Sequence, residues 1–106
     1  MAKYLVHVTY TAQGLQGVAA KGGTAREKAA RAAAESLGGS LDCFYFAFGE
    51  SDVIVIADFP DNVSAAALAL AVGSSGGASV RTTVLMSSAD ADKASKMQVS
   101  YQPPGS

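Results

Sequence analysis

Residues 3–10 alternate between an apolar set and a mixed set of side chains, and β-branched and aromatic residues are frequent. Alternation with a period of two predicts a β-strand, because successive side chains point to opposite faces of a sheet. The apolar set should face a helix layer, and the mixed set should face water or a partner. The apolar set is Tyr4, Val6, Val8 and Tyr10, and the mixed set is Lys3, Leu5, His7 and Thr9.

Two later segments, 41–48 and 52–59, are predicted strands that are apolar on both faces. A strand with solvent on one side normally carries polar residues there, so both strands should be covered on each side. The turn Gly49-Glu50-Ser51-Asp52 joins them in a hairpin, and we expect Gly49 to adopt a positive φ. Alternation puts Leu41, Cys43, Tyr45 and Ala47 on one face and Asp42, Phe44, Phe46 and Phe48 on the other.

The main helix is predicted over residues 25–37, which are mostly alanine, arginine, lysine and glutamate. Thr24 and Glu27 form a capping box at its start, and Gly38-Gly39 should end it by accepting a left-handed conformation. The apolar stripe of this helix consists mostly of alanine. We therefore expect the helix to lie close against the sheet, with little bulk between them.

Shorter helical segments lie on either side of these elements. Thr11 is placed to cap a short helix or loop that extends to Gly22-Gly23. A second helix should begin at Asp61 or Asn62 and end before the glycine-rich loop 73–77. This loop follows a helix, whereas phosphate-binding loops precede one, so we interpret it as a helix stop.

A fourth strand, residues 80–86, completes the order β-α-β-β-α-β. Connection rules fold this order into an α+β, ferredoxin-like plait, with a four-stranded antiparallel sheet and both helices on one face. The other face also needs a cover, and a second copy of the sheet is the simplest one. The predicted partner is therefore the chain itself, as a homodimer or higher oligomer formed through the open sheet face.

The plait should occupy residues 1–88, and residues 89–106 should form a short helix and an extended tail that contains Pro103-Pro104. With 106 residues, the chain has the usual size of one domain with one core. Its formal net charge of -1 argues against nucleic-acid binding. A single cysteine and the absence of an apolar leader favour the cytoplasm, and no apolar run is long enough to span a membrane.

Several short motifs follow one another along residues 1–86: Tyr10-Thr11, Gln13-Gly14, Phe44-Tyr45, Gly49-Glu50-Ser51-Asp52, Pro60-Asp61 and Arg81-Thr82. As a set, they resemble the GYD-domain family of small bacterial proteins, named for a glycine-tyrosine-aspartate signature. The resemblance implies a ferredoxin-like subunit of a dimeric α+β barrel and no settled activity. Gly49 and Asp52 match the signature. Ser51 stands in place of its tyrosine, so a role that depends on the phenol ring is not transferred.

Four residues are candidates for a ligand site: His7, Tyr45, Asp52 and Arg81. His7 is the only histidine, and hence the one side chain whose ordinary pKa suits proton transfer near neutrality. It is a weak candidate for a catalytic role, against a purely structural one. Arg81 needs either a carboxylate partner or a bound anion. Asp52 is placed to bind a ligand or to cap the turn.

Other residues offer less chemistry. Cys43 lies in an aromatic strand without a basic neighbour in sequence, which is typical of a small apolar side chain rather than a nucleophile. One histidine and one cysteine provide no metal-ligand spacing, so we predict neither a metal nor a cofactor.

Three functions remain open. The first is a small-molecule-binding or accessory protein that acts as a homo-oligomer, with a small organic ligand between the sheet and its partner. The second is a cofactor-independent enzyme, since dimeric barrels of this architecture include monooxygenases and isomerases. The third is a structural or assembly oligomer without a ligand. The sequence alone does not decide whether the protein is an enzyme.

Overall fold

The computed structural model describes residues 1–105. The chain forms a sheet and a helix layer, with a further helix at the C-terminal end. The elements of the described residues are β1 (Ala2–Tyr10), α1 (Ala12–Lys21), α2 (Gly23–Ser36), β2 (Ser40–Phe46), β3 (Val53–Phe59), α3 (Asn62–Ser74), β4 (Ala78–Leu85) and α4 (Ser88–Lys96).

The sheet has the strand order β2-β3-β1-β4, and each neighbouring pair is antiparallel. The longest alternating segment, β1, therefore lies in the interior, between β3 and β4. This arrangement confirms the α+β, ferredoxin-like plait. The helices α1, α2 and α3 lie on one face of the sheet, and the opposite face, which we call the open face, is not covered by them.

The hydrophobic core lies between β1, β3 and the helix layer. Tyr4, Val53 and Phe59 have the largest fully buried side chains. The rings of Tyr4 and Phe59 meet edge to face, with 5.7 Å between their centroids. The Tyr4 hydroxyl donates a hydrogen bond of 2.6 Å to the Asn62 side chain, which ties β1 to the start of α3. The ring therefore packs in the core while its polar end remains satisfied.

Two of the predicted helix caps are confirmed. The Thr11 hydroxyl accepts a hydrogen bond from the Gly14 N–H at 3.2 Å, so segment 11–23 does contain a helix. The Asp61 carboxylate accepts from the Ser64 N–H at 2.8 Å, and this contact lowers the pKa of Asp61. A carboxylate at a helix start satisfies N–H groups that have no partner within the helix.

Two local predictions are wrong. The Thr24–Glu27 capping box does not begin α2, because α2 starts at Gly23 and its N-cap is Gly22, with φ of 87°. Thr24 therefore lies inside the helix. Gly49 does not adopt a positive φ either; Gly38 does, with φ of 77°, where the chain leaves α2. The hairpin turn is thus made without a left-handed residue at Gly49.

A β-bulge in β2 corrects the predicted assignment of faces. Leu41 pairs with Ala57 and Cys43 pairs with Ile56, so the register shifts between Leu41 and Cys43. A bulge places two residues opposite one and reverses the alternation. Leu41 consequently shares the helix-side face with Phe44, whereas strict alternation assigns these two residues to opposite faces.

The C-terminal segment extends away from the core. Every described residue from 86 to 105 is exposed, including the apolar side chains of Met97, Val99 and Tyr101. This segment holds the predicted short helix as α4, which spans Ser88–Lys96. Within residues 1–105, no helix combines the length and the apolar character needed to cross a bilayer.

Candidate functional site

The open face carries two rows of side chains that cross all four strands. Both rows combine an apolar centre with a polar end, and the Tyr45 side chain projects outward with 68% of its surface exposed. Directly paired residues point to the same side of a sheet, so the strand register decides which side chains are neighbours. The first row is Tyr45, Ile54, His7 and Arg81, and the second is Cys43, Ile56, Leu5 and Thr83.

Three of the four predicted site residues thus lie in one row. His7 pairs with Arg81 on one side and with Ile54 on the other, and Ile54 pairs with Tyr45. Neighbouring strands are about 4.8 Å apart, so Tyr45 lies about 10 Å from His7 across the ladder. A small planar molecule spans such a distance.

The polar end of the row is organised by Ser51, and we call His7, Ser51 and Arg81 the Ser51 cluster. The Ser51 hydroxyl lies 3.1 Å from His7 Nδ1, and it accepts a hydrogen bond of 3.2 Å from Arg81 Nη2. Ser51 is only 5% exposed, so the hydroxyl is held below the surface that His7 and Arg81 present. A buried serine bonded to two side chains fixes their orientation.

Sequence reasoning missed Ser51 as a site residue and treated it only as the loss of a tyrosine. A serine in an exposed hairpin turn is common, and nothing in the chain indicates that this residue is buried. The strand register is the missing information, because it brings the end of the hairpin against β1 and β4. The observed Arg81 contact also differs from the suggested ion pair: within residues 1–105, no carboxylate forms a salt bridge with Arg81.

Asp52, the fourth predicted residue, is engaged by the backbone of β1. Its carboxylate accepts a hydrogen bond of 2.8 Å from the Tyr10 N–H, and its own N–H donates to the Val8 carbonyl at 2.8 Å. The Asp52 carbonyl in turn accepts from the Ala47 N–H at 2.9 Å. Asp52 therefore joins the hairpin to β1 and positions the neighbouring Ser51.

The opposite end of the open face holds a charged cluster. Lys3 Nζ donates to both Asp42 and Asp58, and its distance to Asp58 Oδ1 is 3.1 Å. Hydrogen bonds to these carboxylates raise the pKa of Lys3, and the bond from Lys3 lowers the pKa of Asp42. The apolar centre of the open face is thus bounded by an ion cluster of one lysine and two aspartates at one end and by the Ser51 cluster at the other.

A large cavity lies on the other side of the sheet, under the helix layer. It has a volume of about 760 Å³ and is bounded by β1 and β3 below and by α1, α2 and α3 above. Alanines 25, 29, 30 and 33 form the α2 wall. The expectation that α2 lies close against the sheet is confirmed at its two ends, where Gly23 lies against the Phe46 ring and Ala34 is buried, but the small side chains between them leave space unfilled. Of the α2 residues, Ala34 is the buried one.

Five of the residues that line the cavity have polar side chains, namely Tyr10, Gln13, Lys21, Arg26 and Ser75. Burial raises the pKa of Tyr10, and the negative charge of Asp52 adds to this, while the positive charge of Arg26 opposes it. Tyr10 is thus a neutral hydroxyl at physiological pH, and it is able to donate a hydrogen bond.

The available groups limit the chemistry of both sites. The Ser51 cluster offers an imidazole and a guanidinium, which suit a carboxylate or another small anion. A nucleophilic role for Ser51 would need an accessible hydroxyl, and its hydroxyl is buried. No group of three or more histidine, cysteine, aspartate or glutamate side chains is arranged to hold a metal within residues 1–105.

A protein-family model described as the GYD domain matches residues 4–95. The match runs from β1 through the whole sheet and the helix layer into α4. No curated protein and no solved structure matches the chain. Because the matched region covers most of the chain, the chain belongs to the GYD-domain family.

Proposed function

We propose that this protein is a cytoplasmic small-molecule-binding protein that acts as a homodimer, with two copies joined through their open faces. The observation that carries this proposal is the row Tyr45, Ile54, His7 and Arg81, in which a polar cluster held by Ser51 lies beside the apolar centre of the open face. A ligand with an apolar ring and an acidic group matches this row in both respects.

A second copy of the chain is the cover that fits the open face best. The centre of the face is aliphatic, with Leu5, Ile54 and Ile56 side by side. An isolated apolar sheet face is unfavourable in water, and two-fold pairing buries it against an identical surface. The charges of Lys3, Asp42 and Asp58 are paired within the chain, and a single negative charge is left over at that end of the face.

We expect the substitution Ile54→Lys to convert the dimer into a monomer. A lysine at the centre of the open face would have to be desolvated opposite its own copy, which costs several kcal/mol at an interface. Sedimentation equilibrium at micromolar concentration measures the change. The control is Val63→Lys, which places the same charge at an exposed position of α3 and should leave the dimer intact. A wild-type monomer, or equal effects of both substitutions, would contradict the proposed interface.

The ligand half of the proposal is tested with benzoate, which has one apolar ring and one carboxylate. We expect benzoate to shift the ring-proton NMR signals of His7, which are unambiguous because the chain has a single histidine. The substitution Arg81→Gln should weaken this binding about tenfold or more, since a charge-assisted hydrogen bond is lost. Lys28→Gln removes a positive charge from the surface of α2 and should have no effect. An unchanged affinity in Arg81→Gln would contradict the site.

A second candidate function is a cofactor-independent enzyme in which His7 is the general base. One observation favours it: His7 Nδ1 is held by Ser51, and within residues 1–105 the other ring nitrogen, Nε2, has no hydrogen-bond partner. In the tautomer that carries its proton on Nδ1, Nε2 is the basic nitrogen and is available to a bound acid. Turnover that is lost in His7→Ala, with benzoate binding retained, would identify the enzyme. A dimer that binds no small acid would instead be a structural oligomer.

A further inference from the structure

The cavity under the helix layer has the size and lining of a ligand site. Its volume of about 760 Å³ falls within the range of about 300–1,000 Å³ that is usual for small-molecule sites. Protein interiors are normally close-packed and contain few voids larger than a water molecule. The floor consists of strand side chains, most of which are aliphatic, such as Val6, Val53 and Val55.

The cavity exists because of the residues that face the sheet. The α2 residues Ala25, Ala29 and Ala33 carry only methyl groups, and Gly17 of α1 has no side chain. The α2 helix approaches the sheet at both ends, where Gly23 lies against the Phe46 ring and Ala34 is buried in the core, and the alanines between them line the cavity. The cavity is therefore a consequence of the small residues in the sequences of α1 and α2.

The charges in the cavity wall have one sign. Lys21 and Arg26 both line the cavity, and among residues 1–105 neither an aspartate nor a glutamate does. Within the same residues, no carboxylate forms a salt bridge with Lys21 or Arg26. The neutral hydroxyl of Tyr10 lies in the same wall and supplies a hydrogen-bond donor. The cavity is open to solvent where the exposed Lys21 and Arg26 line it, and an apolar cavity with two such cations and a hydroxyl is complementary to an amphiphilic anion.

We propose that this cavity binds a single-chain amphiphile, with its apolar tail among the alanines and valines and an anionic head at Lys21, Arg26 and Tyr10. A medium-chain carboxylate has this chemistry. The site goes beyond the proposed function, because it lies on the opposite side of the sheet from the Ser51 cluster. It requires neither the dimer nor any residue of the open face.

Isothermal titration calorimetry with decanoate, below its micelle concentration, tests the proposal on the full chain. We expect saturable binding of one decanoate per chain. The substitution Arg26→Gln should weaken this binding about tenfold or more, because a charge-assisted contact is lost. Lys28→Gln removes a charge from the same helix outside the cavity, and it should leave the affinity unchanged. The uncharged analogue 1-decanol should bind less tightly than decanoate and should be insensitive to Arg26→Gln.

The apolar half of the site is tested by filling the cavity. The substitution Ala29→Leu places a larger side chain in the wall and should reduce decanoate affinity at least tenfold. Ala32→Leu changes a residue of the same helix that does not line the cavity, and it should bind decanoate as the wild type does. Circular dichroism measures whether each variant folds. If a leucine variant does not fold, Arg26→Gln still tests the site independently.

Three results would overturn the proposal: the absence of saturable decanoate binding, equal losses in Arg26→Gln and Lys28→Gln, or an unchanged affinity in a folded Ala29→Leu variant. The open-face variants separate this site from the other one. Decanoate binding should persist in Ile54→Lys and in Arg81→Gln, whereas benzoate binding should be about tenfold or more weaker in Arg81→Gln. Decanoate binding that is lost in Arg81→Gln would place the amphiphile at the Ser51 cluster and contradict a site under the helices.

Discussion

Replacing Phe59 by alanine should lower the free energy of unfolding by about 3–5 kcal/mol. The Phe59 side chain is fully buried, with 0% of its surface exposed, and its ring packs edge to face on Tyr4. Truncation removes this apolar surface and leaves a void beside a second aromatic ring. Since small domains are stable by only about 5–15 kcal/mol, the loss is a large fraction of the total.

The matched control for this substitution is Phe48→Ala. Phe48 lies at the end of the hairpin, and its side chain is fully exposed. Its truncation should change the free energy of unfolding by less than about 0.5 kcal/mol. Urea unfolding at one fixed protein concentration measures both variants, because self-association adds to apparent stability. Equal losses in the two variants would mean that the core is not centred on Tyr4 and Phe59.

Replacing Gly14 by alanine should destabilise the protein by about 3 kcal/mol, at the upper end of what overpacking costs. A Cβ atom at Gly14 would lie 1.9 Å from the Gly77 carbonyl oxygen, which is part of the backbone and has little freedom to move. The same carbonyl accepts a hydrogen bond of 3.0 Å from the Thr11 N–H, so its displacement would also weaken the start of α1. Urea unfolding measures the loss.

The control is a second glycine in the same helix. A Cβ atom at Gly17 would have no heavy atom within 4 Å, so Gly17→Ala gains helix propensity without a clash. We expect it to raise the free energy of unfolding by about 0.5–1 kcal/mol. Opposite signs at Gly14 and Gly17 would identify the close approach of α1 to Gly77 as the cause. A Gly14→Ala variant as stable as wild type would contradict that approach.

Much of the fold could be predicted from local patterns. The alternation in residues 3–10 corresponds to β1, and the apolar side chains of that segment do face the helices. Thr11 and Asp61 cap helices as expected, because a side chain acts there on N–H groups only three residues away. Such contacts depend on sequence separation alone, and the element order then leaves few topologies to choose from.

The remaining features depend on contacts between residues far apart in the chain. The β-bulge at Leu41 and Cys43 is set by pairing with β3, and strict alternation gives no sign of it. The cavity arises because α2 turns alanines rather than larger side chains toward the sheet, and the sequence of α2 does not show how far the sheet lies from them. Ser51 meets His7 and Arg81 across 44 and 30 residues of sequence, so only the folded sheet brings these groups together.

The single hydroxyl shared by His7 and Arg81 has a directional consequence. Arginine only donates, so the Ser51 oxygen must accept from Arg81 whatever the imidazole does. When His7 Nδ1 lacks a hydrogen, the serine proton turns toward the ring. When Nδ1 carries a hydrogen, the Ser51 proton must rotate away from the ring, and the Ser51 oxygen then accepts hydrogen bonds from both His7 and Arg81. The orientation of the Ser51 O–H bond thus depends on the His7 tautomer. A ligand that forms a hydrogen bond with Nε2 at the surface would select one tautomer and so fix the direction of the buried Ser51 O–H bond.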